Sequence, residues 1–229
     1  MGAFEEIERN GFVLLPNGLS FGSVSLLREA LDRIGSKKRN YGIRNVAAEV
    51  PEIRQLADSE FVRALLKPFF DREPFLVQSI FFDKTSTANW KVGWHQDLTI
   101  PVMQRLDTED FGPWTVKSNI VHVHAPESVL QRMLIVRIHM DDTGASNGAL
   151  RVLPGSHVRK MPEYEIAEMR TLSSAAVTCE LSEGGVLLMR PLLLHSSSAA
   201  QIASRRRVIH LEYAADSLPG GLQWRKLDT

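Results

Sequence analysis

Trp94-His95-Gln96-Asp97 sets an imidazole and a carboxylate two residues apart. On an extended segment, residues i and i+2 project from one face, about 6.5–7 Å apart along the backbone. His95 and Asp97 can therefore converge on one ion. A divalent iron site built as a facial triad needs two histidines and one carboxylate, which leaves three coordination positions open. His195 is the best candidate for the third donor, because it ends the apolar run Leu192-Leu193-Leu194 and is followed by three serines. That context puts an imidazole at the mouth of a buried strand. The same i, i+2 spacing recurs in His139/Asp141, His122/His124 and His210/Glu212. A pattern this short is more often a packed or hydrogen-bonded histidine than a ligand, so the spacing by itself leaves these rivals open.

A cluster of basic residues adds weight to the first pair. Ser204-Arg205-Arg206-Arg207 follows His195 closely and opens the next apolar run. Two antiparallel strands joined by a short loop bring His195 and Arg206 to one interior, where a guanidinium can hold a carboxylate by a two-pronged pair. Strand alternation puts Arg206 inside with Arg205 and Arg207 outside, or the reverse. Ser197, two residues past His195, shares its face. An iron site beside an inward arginine suits a dicarboxylic keto acid chelated at one end and ion-paired at the other.

These residues need a scaffold. Residues 1–73 read as mostly helical. Val24, Leu27, Leu31 and Ile34 recur at helical spacing between a Ser20 cap and Gly35, and shorter helices fit 52–57 and 59–69. From Pro74 the texture becomes that of strands: 75–82, 134–140, 149–153, 177–180, 186–189 and 208–213. Asn147-Gly148, Pro154-Gly155 and Gly184-Gly185 punctuate them. Residues 162–169 could form a helix among them. The fold class is thus mainly β with N-terminal helices, closing as a sandwich or jelly roll. With no hinge and no repeat, residues 1–229 read as one domain whose core spans 74–229. Segment 99–132 is inserted in that core, either as a lid over a pocket or as a structural wrap.

The motifs together resemble the phytanoyl-CoA dioxygenase family of iron(II)- and 2-oxoglutarate-dependent oxygenases. The resemblance rests on Phe82-Asp83-Lys84-Thr85, Asn89-Trp90-Lys91, Trp94-His95-Gln96-Asp97, the run from Asn147 to His157, and the His195 to Arg206 spacing. It implies a double-stranded β-helix, a cupin-like barrel, with His95, Asp97 and His195 as iron ligands. It implies Arg206 on the distal carboxylate of 2-oxoglutarate with Ser197 assisting, O2 as the oxidant, and His139 and Asp141 outside the triad. Arg137 stands where the family commonly has an aromatic residue near the co-substrate, a departure that leaves its role open. The intact Asp97 carboxylate favours hydroxylation over halogenation. The expected reaction oxidises a small-molecule substrate and releases succinate and CO2. A cupin-like metalloenzyme that does not use 2-oxoglutarate and a non-catalytic metabolite-binding protein are the competing classes.

Composition bounds the partners. With 27 basic and 27 acidic residues the net charge is zero, which argues against nucleic acid and against a polyanionic CoA thioester. It is compatible with a homo-oligomer. The apolar runs are too short and interrupted to span a membrane. The acidic opening segment does not read as a signal peptide, and one cysteine, Cys179, makes a reducing, cytoplasmic setting the default. Cys179, Met103, Met133 and Met189 read as buried fillers.

Overall fold

A computed structural model describes residues 2–34, 42–169, 173–202 and 205–225. Gly35, the basic loop that follows it and Ser204 lie outside these. The chain opens with helix α1 (Ala3–Asn10), strand β1 (Phe12–Leu15) and helix α2 (Phe21–Arg33). The Ser20 side chain accepts from the Ser23 amide and caps α2, as the sequence indicates. Strand β2 (Ile43–Arg44) and helices α3 (Val46–Glu49), α4 (Pro51–Ala57) and α5 (Glu60–Leu66) complete the helical layer.

Nearly all of the remaining elements are strands: β3 (Phe75–Lys84), β4 (Val92–His95), β5 (Thr99–Pro101), β6 (Trp114–Lys117), β7 (Ile120–His124) and β8 (Leu134–His139). They continue with β9 (Leu150–Val152), β10 (Val177–Thr178), β11 (Val186–Met189), β12 (His195–Ser197) and β13 (Arg206–Ala214). Helices α6 (Glu127–Leu130) and α7 (Glu163–Met169) lie in connections. All named pairings are antiparallel. They form a six-stranded sheet β1-β11-β8-β13-β3-β2, a four-stranded sheet β10-β9-β12-β4, and a small sheet β5-β7-β6.

The six-stranded sheet is two-faced. Val136, Ile138, Leu188, Ile209, Leu211 and Tyr213 pack outward against α2 to α5 in one apolar cluster. Ile135, Leu187 and Met189 point inward and meet Leu150 and Val152 of the four-stranded sheet in a second. Alternation along each strand produces this division. A register shift between Glu212 and Tyr213 keeps Tyr213 and Leu76 on the helical side. Segment 99–132 is a small sheet with its own apolar contacts, and Thr99, Lys117 and His124 line the cavity that also holds His95 and His195. It therefore supplies a wall of the pocket as well as structure of its own. Met133, Met189 and Cys179 are buried as expected, but Met103 is about half exposed, because it follows β5 at the edge of the small sheet.

Candidate metal centre

β12 lies between β9 and β4, with His195 directly opposite His95. The register therefore sets the two imidazoles side by side, their ring centres 4.2 Å apart. Asp97 follows two residues after His95, where its amide donates to the Pro191 carbonyl. One donor atom from each of His95, Asp97 and His195 falls within 4.8 Å of the others. Nε2 of either histidine is 3.6 Å from an Asp97 carboxylate oxygen.

The other ring nitrogens fix the tautomers. His95 Nδ1 is 2.9 Å from the Gly93 carbonyl and His195 Nδ1 is 2.8 Å from the Leu193 carbonyl. A carbonyl only accepts, so each Nδ1 carries a proton and donates, which leaves Nε2, the atom facing Asp97, as the ring nitrogen available to an ion. Ligand atoms about 2.1 Å from one ion stand about 3 Å apart on an octahedral face, so the three groups, no more than 4.8 Å apart, draw in around an ion. Two neutral imidazoles and one carboxylate fit a divalent iron.

Burial and charge act differently on the three residues. Burial dominates at His195 and, against the opposing charge of Asp97, brings it down to about 3. Burial opposes ionisation of Asp97 as well, but His195 and His95 outweigh it and hold the carboxyl well below the usual range. His95 is raised: burial lowers it, and the hydrogen bond and charge of Asp97 more than compensate. His195 is almost fully enclosed while the His95 side chain is about 38% exposed, so the centre has a dry side and an open side.

A cavity of about 370 Å³ adjoins these residues. Arg206, at the start of β13, is 4% exposed and points inward; its Nε has no hydrogen-bond partner. Arg205 and Arg207 face outward. Arg205 pairs with Asp83 and Asp32, and Arg207 with Asp141. Alternation thus resolves in favour of Arg206 inside. Ser197 Oγ donates to the Gly148 carbonyl and lies 2.9 Å from Lys84 Nζ, which donates to it. Lys84, opposite Arg206 on β3, is buried, and burial together with Arg206 and Arg137 lowers it to about 8. Lys84 belongs to the Phe82-Asp83-Lys84-Thr85 motif, which by itself assigns it no role. Its position at i+6 from Gln78 on one strand face was the available signal.

Arg137 also points into the cavity. Its Nη1 donates to His210 Nδ1 at 2.7 Å, its guanidinium lies over the Phe82 ring, and its Nε is unpartnered. Because Arg137 can only donate, His210 carries its proton on Nε2 and gives it to Glu212, 3.0 Å away. Glu212 also accepts from Gln78, whose Oε1 lies 3.0 Å from His122 Nε2. The rival histidine pairs part company: His210 and Glu212 bond to each other, and His122 contacts Gln78 while His124 lines the cavity. His139 bonds to Thr143, and Asp141 holds Arg207. Of the sequence-level candidates, the structure gathers His95, Asp97, His195, Arg206, Ser197 and Arg137 around one cavity.

Residues 7–208 match the family described as Phytanoyl-CoA dioxygenase (PhyH). No curated protein matches the chain in sequence. Several solved structures resemble it. AviO1 from Streptomyces viridochromogenes Tue57 is 24% identical over 95% of each chain, with a TM-score of 0.70. EctD from S. alaskensis, solved with 2-oxoglutarate and 5-hydroxyectoine, is 20% identical over 94% of this chain and 76% of that one, TM-score 0.69. HygX from Streptomyces hygroscopicus with iron bound is 18% identical over 93% and 85%, TM-score 0.66. At this level of identity the likeness shows the fold, a double-stranded β-helix with helices on one face.

Proposed function

The chain belongs to the phytanoyl-CoA dioxygenase family, and from that premise we propose that it is an Fe(II)- and 2-oxoglutarate-dependent oxygenase that hydroxylates a small metabolite. Residues 1–229 then form one oxygenase domain. The observation that carries the reading is the combination of the His95–Asp97–His195 donor set with an inward, unpaired Arg206 in one cavity. A non-catalytic binding protein gives no reason for the donor set, and a barrel enzyme without the keto acid gives none for Arg206.

His95, Asp97 and His195 would hold the iron. The metal supplies activation of O2, coupled to decarboxylation of 2-oxoglutarate to succinate and CO2, and thereby oxidation of a substrate C–H bond. The protein's residues do the rest. The Gly93 and Leu193 carbonyls keep both Nε2 lone pairs aimed at one point. Asp97 stays ionised and contributes charge. Arg206 binds the distal co-substrate carboxylate, and its unpartnered Nε supports this role. Ser197 and Lys84 form the adjoining wall. Arg137, held by His210 and Phe82, sits between this wall and the far end of the cavity. The enclosed side at His195 limits water around the reacting groups.

The test is anaerobic reconstitution with Fe(II), then measurement of O2-dependent succinate release from 2-oxoglutarate. Slow release in wild type that disappears in Asp97→Ala is the expected outcome. Equal release from both proteins would sink the proposal, as would calorimetry showing no 2-oxoglutarate binding to the metal-loaded protein.

A further inference from the structure

The cavity holds a second group of cations that the co-substrate does not use, and strand register fixes where it lies. Along β3 and β13 the inward partners run Lys84 with Arg206, Phe82 with Val208, Ile80 with His210, and Gln78 with Glu212. Each two-residue step advances about 6.5–7 Å, so the Glu212 end lies about 20 Å along the strand from Arg206. Arg44 is the register partner of Ile80 through β2 and its side chain lines the cavity. Lys117 enters the same cavity from β6, with Nζ 2.9 Å from Thr99 Oγ1. Arg44 thus sits about 13 Å along the strand from the Arg206 level, and Lys117 feels the charges of Arg44, Asp97 and Glu212, so two separate elements bring cations to the part of the cavity away from Arg206.

Among the described residues, neither Arg44 nor Lys117 pairs with an acid. The cavity's own carboxylates are engaged elsewhere: Asp97 faces two imidazoles, and Glu212 accepts from Gln78 and His210. Burial and then Arg44 lower Lys117, as expected for two cations sharing one space. Arg44, Lys84, Lys117, Arg137 and Arg206 line the cavity against only two carboxylates. A divalent metal and a doubly charged keto acid cancel each other, so their arrival leaves that positive surplus in place. Arg44 and Lys117 are only half-buried, so they stay within reach of an incoming anion, while the surplus in the enclosed part of the cavity favours one.

We propose that Arg44 and Lys117 form the recognition site for a carboxylate on the primary substrate, which places the reacting carbon between them and the metal centre. The assignment deepens the preceding reading and rests on it for which end receives 2-oxoglutarate. The guanidinium supplies a two-pronged donor and the ammonium a point charge, a pair suited to one carboxylate. A volume of about 370 Å³ shared with a five-carbon dicarboxylate restricts that substrate to a small acid.

Calorimetry on Ni(II)-loaded protein saturated with 2-oxoglutarate tests this without turnover. The probes are matched acids and amides: phenylacetate and phenylacetamide, hexanoate and hexanamide, N-acetylglycine and its amide. At least one acid should bind about tenfold or more tightly than its amide. The preference should collapse in the double variant Arg44→Gln, Lys117→Gln, while that variant still binds 2-oxoglutarate, which also shows that it is folded. Equal binding of acid and amide, a preference that survives the double substitution, or no acid binding at all would overturn the inference. Failure of the underlying reading shows separately, as wild-type protein that takes up no 2-oxoglutarate before any acid is added. The acid–amide comparison on that unloaded protein then still decides the role of Arg44 and Lys117.

Discussion

The two faces of strands β8 and β13 share one backbone and carry opposite chemistry. Outward, Val136, Ile138, Ile209, Leu211 and Tyr213 form an apolar sheet surface under the helices. Inward, Arg137, His139, Arg206, His210 and Glu212 present ionisable groups to the barrel interior, all buried. The outer face gains free energy from removal of apolar area from water. The inner face spends it: Arg206 is lowered to about 10 and His139 to about 3, in each case chiefly by burial. One side of each strand builds the structure, and the other holds ionisable groups, some bonded to one another and some, such as the Nε of Arg206, without a hydrogen-bond partner.

The sharpest separation of the faces is expected at Asp97. Asp97→Ala should weaken iron binding and lower coupled turnover by at least about three orders of magnitude, about 4 kcal/mol, with the melting temperature of the metal-free protein little changed. Leu211→Ala should do the converse. Removing a fully buried Leu costs about 3 kcal/mol of stability, visible in urea unfolding, while KM for 2-oxoglutarate stays at its wild-type value. A Leu211→Ala protein of wild-type stability would break the comparison.

Lys84 should show the cost of the inner face through pH. Its folded value of about 8 lies below the ordinary 10.5. Below about 8 it is charged in both states, and its penalty is constant. Between about 8 and 10.5 the unfolded chain binds a proton that the folded chain has released, so stability due to this residue rises with pH. Relative to Lys84→Met, the wild type should gain on the order of 2–3 kcal/mol across that window, measured by unfolding without 2-oxoglutarate. A flat difference would show that the ammonium is solvated. The smallest effect is expected at Arg206→Ala, which should raise KM for 2-oxoglutarate about thirtyfold, about 2 kcal/mol. Arg205→Ala, one residue away on the outer face, should leave KM unchanged.

Much of this division was legible in the sequence. The long strands at 75–82, 134–140 and 208–213 announced themselves because their branched and aliphatic residues are dense enough to survive an inward charge at alternate positions. The small sheet did not. β6 and β7 are joined by Ser118-Asn119, both at positive φ, a tight hairpin without the Asn-Gly signature, and β7 carries two histidines in five residues. α1 escaped notice because it buries only Ile7. His-x-Asp and the His195–Arg206 spacing are local enough to read along the chain. Lys84 and Arg44 are not, since each reaches the cavity through a pairing with a distant strand, and Lys117 rides on the small sheet that did not announce itself.

The direct opposition of His95 and His195 has a consequence for how the protein matures. The two residues belong to strands a hundred positions apart in the chain, and a slip of one residue in their pairing would turn one imidazole out of the barrel. No local segment holds the complete donor set, so a nascent or partly folded chain offers metal at most the His95–Asp97 pair. Metal capture would then follow this pairing, and a loaded protein would certify that β4 and β12 have already found their register.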